Sequence, residues 1–156
     1  MSDLGYVYFM RMEADAPPYD ANPYTKIGYA RDPEARRGVL KTGLPFEIEI
    51  DAVFPATQAE ERSLHRKFSA QRIRGEWFKT NGPLDTFVGR IVDASLAIRM
   101  ERKIPGYEPT LKECIAYKKP GEHLRQLISD MAARGEAFEV SPSMKVRFVD
   151  FPSPNE

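Results

Sequence analysis

The chain has 156 residues, with 23 basic and 23 acidic side chains, a formal net charge of zero, 42% hydrophobic residues and 29% charged residues. That is the size and make-up of one soluble globular domain with a modest appendage, and it excludes a disordered tail, a membrane span and a chain that holds nucleic acid by bulk charge. One cysteine, Cys114, excludes an intrachain disulfide and a cysteine-based zinc site, and Met1 to Gly5 has no basic region leading into an apolar run, so a cytoplasmic location is expected.

Gly5 to Met12 (GYVYFMRM) is short and rich in aromatic and β-branched residues, which predicts a strand. Glu13 to Pro23 holds three prolines and three carboxylates and reads as a loop. Tyr24 to Ala30 is a second strand, completing an antiparallel hairpin with a long connection. Asp32 caps a helix whose first position is Pro33 and which stops near Gly43. A strand follows in which Glu47, Glu49 and Asp51 alternate with Ile48, Ile50 and Ala52, so one side packs and the other meets solvent. Thr57 to Glu60 has the pattern of a capping box, opening a helix with Leu64 and Phe68 four apart. Arg72 to Phe78 is a compact segment with an internal turn. Pro83 starts a longer helix striped by Leu84, Phe87, Val88, Ile91 and Ile98.

Pro105-Gly106 breaks the chain, which divides it into a domain over 1–103 and an extension over 104–156. In the extension, His123 to Arg134 carries Leu124, Leu127, Ile128 and Met131 at helical spacing, with Gly135 as its stop. Lys145 to Phe151 reads as a strand, and the last residues as a frayed end.

The chain has no Gly-rich phosphate loop, no histidine pair at metal spacing and no Gly-x-Ser-x-Gly elbow. Cys114 has only His65 and His123 as imidazole partners, and a lone cysteine in a polar stretch is more often incidental than nucleophilic. What remains is a set of tyrosines on two strands, an arginine on a helix, and a glutamate beside a tryptophan.

Tyr6-Val7-Tyr8 followed by Lys26-Ile27-Gly28 resembles the paired signature of the GIY-YIG endonuclease superfamily. The closer likeness is to the branch named after a phage T5 reading frame and a meiotically up-regulated fungal gene, in which the second triplet commonly begins with lysine. Further blocks follow in the family's order: Tyr29 with Asp32-Pro33-Glu34 and Arg36, Thr42-Gly43-Leu44-Pro45, Glu61 with Leu64-His65 and Phe68, and Arg72, Arg74 and Gly75-Glu76-Trp77-Phe78. Together they span residues 5–80, with the next helix completing the domain and the tail outside it. The resemblance implies an α+β fold with a small three-stranded antiparallel sheet flanked by helices, to which this chain adds a short C-terminal helix and strand.

It also implies a divalent-metal-dependent DNA endonuclease that hydrolyses phosphodiester bonds with Mg²⁺ or Mn²⁺. That chemistry needs a base for water, positive charge on the phosphate and a cation for the leaving oxygen. Glu76 matches the metal-binding glutamate, a hard oxygen donor to an ion that keeps most of its waters. Arg36 matches the catalytic arginine that clamps the scissile phosphate, with Arg37 as the adjacent candidate. Tyr8 matches the tyrosine that positions water or donates to the phosphate. Lys26 stands where many relatives have a tyrosine, and serves as a base only if burial or nearby positive charge lowers its pKa; otherwise it holds phosphate. Some relatives carry His or Tyr where this chain has Leu40, leaving His65 to supply an imidazole for proton transfer. Trp77 and Phe78 read as core anchors that fix Glu76, and Gly28 as a residue kept small for close approach.

Two other roles suit the same residues: a DNA-binding module that no longer cuts, or cuts only with a partner, and a regulatory protein that forms a homodimer or binds a protein partner through residues 107–156, with the front domain as scaffold. Relatives serve as homing, repair, restriction and phage enzymes. The tail has Lys112, Lys118, Lys119 and Arg125 to offer DNA, but holds seven basic against eight acidic residues over 104–156. Charge is concentrated elsewhere. Arg62 to Lys79 carries six basic residues against Glu76 alone, and Lys26 to Lys41 five against two. Arg37, Lys41, Arg66, Arg72 and Arg74 are the DNA-binding candidates in these stretches.

Overall fold

The computed structural model describes residues 4–13, 24–43, 47–80, 82–140 and 146–150. The expected loop at 14–23, Leu44 and Pro45 of the Thr42 block, Lys145, Phe151 and the last residues lie outside the described residues. The chain divides into two compact units, Met1–Gly89 and Arg90–Glu156.

In the first unit the elements run β1 (Leu4–Glu13), β2 (Tyr24–Ala30), α1 (Pro33–Thr42), β3 (Glu47–Thr57), α2 (Gln58–Lys67), β4 (Arg72–Arg74) and β5 (Trp77–Lys79), with α3 (Pro83–Arg102) beginning here. The α+β class and the antiparallel pairing are as expected, but the sheet has five strands, not three, in the order β3-β1-β2-β5-β4. The additional two are the halves of the segment read as a compact turn. Each is three residues long, too short for a periodic pattern to register.

Local signals set the helix ends. The Asp32 side chain accepts from the Ala35 amide at 3.1 Å at the start of α1, and Pro33 loses no hydrogen bond at the first position. At α2, Thr57 Oγ1 accepts from the Glu60 amide at 3.2 Å while Glu60 Oε2 accepts from the Thr57 amide at 3.0 Å, closing a full capping box.

The register of β3 corrects one inference from alternation. Met10 pairs with Ile50 but Phe9 with Ala52, so Asp51 is an extra residue, a β-bulge. The bulge reverses the phase of the strand. Ile48 and Ile50 join Tyr8 and Met10 in one buried cluster, packed by Leu40 of α1 and by Val53 and Trp77. Ala52 and Phe54 fall on the other face, where Phe54 meets Phe9 edge-on at 6.2 Å between ring centroids. Leu40, the departure from the family pattern, is thus a packing residue against the cluster that holds Tyr8.

The second unit holds the rest of α3, then α4 (Leu111–Ala116), α5 (Pro120–Ala133) and a hairpin of β6 (Glu136–Val140) with β7 (Val146–Asp150). Ala97 and Met100 pack with Leu124 and Met131, joined by Leu96, Tyr117 and Leu127. The expected helix at His123 begins three residues earlier, at Pro120, and is followed by Gly135 at φ +73°. α4 and β6 are too short to be expected from pattern, and Cys114 is a buried residue of α4 instead of part of a polar stretch. Burial pushes its thiol up to about 12, so it stays protonated at neutral pH.

Candidate active site

The site forms where β5 parts from β2. The two strands pair over three residues, ending at Lys26 opposite Trp77. One step further, the Ile27 amide donates to the Glu76 carbonyl at 3.0 Å. At the Ile27 carbonyl, His65 Nε2, from α2, lies 2.7 Å away. Both backbone groups of Ile27 are therefore spent on site residues, tying α2 and the β4–β5 turn to one point of β2.

Lys26 is buried and donates through Nζ to Glu76 Oε2 at 2.7 Å, with the ammonium 5.7 Å from the centroid of the Trp77 ring. Its side chain is 8% exposed and that of Glu76 is 41% exposed, so the carboxylate stays open to solvent while its partner does not. Glu76 is held at both ends, by its carbonyl and by its carboxylate, and its neighbours Trp77 and Phe78 are packed, as expected of core anchors.

His65 Nε2 faces two acceptors, the Ile27 carbonyl and Glu61 Oε1 at 2.9 Å. A carbonyl oxygen cannot donate, so Nε2 carries the proton and Nδ1 is the basic atom of a neutral ring. The ring is seated against Phe78, 5.2 Å between centroids. Glu61 is 5% exposed. Burial raises its carboxyl above the ordinary range, the Glu76 carboxylate adds to the rise, and His65, Arg62 and Lys26 oppose it.

Tyr8 is 1% exposed, opposite Gly28 across the β1–β2 ladder. A Cβ on Gly28 would fall inside the Tyr8 phenol, so the close approach foreseen for this glycine is made by the tyrosine ring. Burial raises the Tyr8 pKa, and the positive charge of the nearby Arg36 guanidinium pulls it back. The Glu76 and Glu61 charges also act on Tyr8, so the two pairs share one neighbourhood. Arg36 itself is exposed on α1.

All five sequence candidates, Tyr8, Lys26, Arg36, His65 and Glu76, thus belong to one connected set. Glu61 is the residue sequence reading did not place in it. The signal was its spacing: one helical turn before His65, it shares a face with that imidazole. Ligand atoms of Glu61, His65 and Glu76 lie within 4.8 Å of one another. Two carboxylates are the donor set that Mg²⁺ and Mn²⁺ favour, and among the described residues Glu61 is held through Oε1 alone. The residues fit such an ion.

The DNA-binding candidates separate. Arg37 donates through Nε to the Ile48 carbonyl at 2.8 Å and lies 4.0 Å from both Glu34 and Glu49. Lys41 pairs with Glu47 at 3.2 Å. Among the described residues Arg66 reaches only Ser63, at 3.0 Å, Arg72 donates to the Gly75 carbonyl at 2.7 Å, and Arg74 is exposed with no partner.

A family model described as the T5orf172 domain matches residues 5–96. No curated protein and no solved structure matches the chain. Among the described residues, no helix is long and apolar enough to cross a membrane.

Proposed function

The chain belongs to the T5orf172 domain family, and from that premise we propose that it is a divalent-metal-dependent endonuclease hydrolysing DNA phosphodiester bonds. Family membership is consistent with a nuclease-like or DNA-binding module. The observation that carries the catalytic reading is the clustering of Glu61, His65 and Glu76 within 4.8 Å, in electrostatic contact with the Tyr8–Arg36 pair.

Glu61 and Glu76 would hold Mg²⁺ or Mn²⁺. When bound, the ion supplies positive charge for the oxygen that leaves. Arg36 binds the scissile phosphate and stabilises the charge that builds on it. Tyr8, its pKa raised, is a phenol at neutral pH and acts as a donor that orients water or phosphate. Lys26 is engaged with Glu76 and serves as fixed positive charge. Of the three groups considered for the base we assign His65, whose Nε2 is anchored and whose Nδ1 is then the ring's lone-pair atom. It takes the proton from the attacking water.

The test is incubation of purified protein with plasmid and single-stranded DNA in Mg²⁺ or Mn²⁺. Wild type is expected to nick or linearise, and Glu61→Ala and Glu76→Ala are expected not to. Equal cutting by wild type and both variants ends the catalytic reading. The Lys26 ammonium on Glu76 favours one alternative, a module that binds DNA without cutting. Salt-sensitive DNA binding with no cleavage in either metal would establish it.

A further inference from the structure

We propose that Ile73 is a wedge that enters a base step of the bound DNA and directs the protein to duplexes already unstacked at that step. This rests on the DNA-cleaving reading above.

Single exposed apolar residues are ordinary on protein surfaces, and Ile73, at 46% exposure, is less open than Val39 at 64%. Its setting is what distinguishes it. β4 pairs with β5 at Arg72 opposite Phe78 and Arg74 opposite Trp77. Two steps on β4 thus face one on β5, and Ile73 is the unmatched residue of a bulge. Bulges re-aim a side chain, and this one takes an isoleucine out of the pairing pattern on a strand whose three residues are all exposed.

The hairpin is also built to hold its shape. Gly75 turns the chain at φ +57°, a conformation that other residues rarely adopt, and Arg72 Nε ties back to the Gly75 carbonyl at 2.7 Å. Glu76 lies in the same turn and is locked to β2 through Lys26 and Ile27. The isoleucine is therefore three residues from a site carboxylate, on a support fixed to that carboxylate. On either side of it stand Arg72 and Arg74, both exposed, with no carboxylate partner for either among the described residues. An apolar side chain between two arginines suits a nucleic acid: the cations meet phosphates and the aliphatic group meets base faces. Inserted apolar side chains unstack a base step at a cost of a few kcal/mol, and a step already interrupted by an unpaired nucleotide spares most of that cost.

Binding is measured in EDTA, so that no cleavage intervenes, on duplexes carrying 2-aminopurine at one step. One duplex is continuous and one has an unpaired nucleotide beside the probe. Wild type should bind the interrupted duplex about tenfold more tightly and raise the probe's fluorescence on binding. Ile73→Ala, its folding checked by circular dichroism, should lose the preference and the rise while keeping salt-dependent binding. Ile73→Leu should restore both. Binding by wild type with no fluorescence rise, an unchanged rise in Ile73→Ala, or an equal loss of affinity on both duplexes overturns the wedge and leaves the endonuclease reading standing. A wild-type protein that binds neither duplex overturns the wedge, and one that also cuts no DNA in Mg²⁺ or Mn²⁺ overturns both.

Discussion

Lys26 Nζ and Glu76 Oε2 are 2.7 Å apart, so the carboxylate expected to serve a metal already has a cation of the protein's own. Opposite charges this close attract by several kcal/mol at an effective dielectric of about 20, and water at the half-open Glu76 removes much of it. Lys26→Met should therefore tighten Mn²⁺ binding by about tenfold while lowering cleavage, since the carboxylates lose a competing ammonium and the site loses a charge for phosphate. Trp77 is the one tryptophan in the chain, and its quenching by Mn²⁺ reads binding without reference to activity. Weaker Mn²⁺ binding in Lys26→Met would show that the ammonium supports the metal site and does not compete with it.

Arg36 and Tyr8 are electrostatically coupled, but their burial differs. Arg36→Ala removes an exposed guanidinium and should lower kcat by about 10²–10³-fold with little change in Tm. Tyr8→Phe keeps the packed ring and removes only the hydroxyl. The double variant should lose little more activity than Arg36→Ala alone, because the two changes break the same link. Fully additive losses in the four-member cycle would mean that the two residues work separately.

Gly28 and Gly38 give opposite expectations for the same change. A Cβ at Gly28 collides with the Tyr8 phenol, whereas one at Gly38, inside α1, meets no atom within 4 Å. Gly28→Ala should cost about 1–3 kcal/mol and abolish cleavage as Tyr8 is displaced. Gly38→Ala should raise stability by up to about 1 kcal/mol, since helical alanine loses less backbone entropy. Chemical denaturation of the two variants checks both signs.

These features differ in how far the sequence alone reveals them. The capping box at Thr57, the Asp32–Pro33 start and the first two strands are local chemistry, and the structure repeats them with boundaries nearly unchanged. The five candidate residues are legible through ordered motifs. Their connections are not, because Ile27 joins them by backbone groups that carry no sequence signal. The reversal at Asp51 is equally hidden: a strictly alternating segment gives no hint that a bulge sends Ile50 and Ala52 to opposite faces. Glu61 is visible as part of a motif, and only burial and its distance to Glu76 give it a role.

Cys114 predicts an alkaline limit to stability. Its ordinary pKa is 9.0, and burial lifts the folded value to about 12. Above the unfolded value the unfolded chain binds fewer protons than the folded one, so stability is full below about pH 9 and falls as pH rises toward 12. The slope approaches about 1.4 kcal/mol per pH unit for one such group. Tyr117, also raised to about 12 by burial, acts in the same direction. Urea midpoints measured from pH 8 upward should fall less steeply in Cys114→Ala, and a thiol reagent at pH 8 should modify the native protein far more slowly than the unfolded one. Rapid modification of the native state would contradict the buried thiol.

The basic residues predict a division between binding and folding. Arg66 and Arg74 have no carboxylate partner among the described residues, whereas Arg37 is held by the Ile48 carbonyl, with Glu34 and Glu49 at 4.0 Å. Removing a side chain that neutralises one phosphate should lower the slope of log affinity against log salt by about 0.9. Arg66→Ala and Arg74→Ala should therefore each flatten that slope and weaken binding most at low salt. Arg37→Ala should leave the slope unchanged and cost about 1 kcal/mol of stability, since it deletes a hydrogen bond that joins α1 to β3. Fluorescence anisotropy on labelled duplex at several salt concentrations, with Tm for each variant, separates the two groups. If Arg37→Ala flattened the slope as much as Arg66→Ala, Arg37 would have to leave the Ile48 carbonyl to neutralise a phosphate.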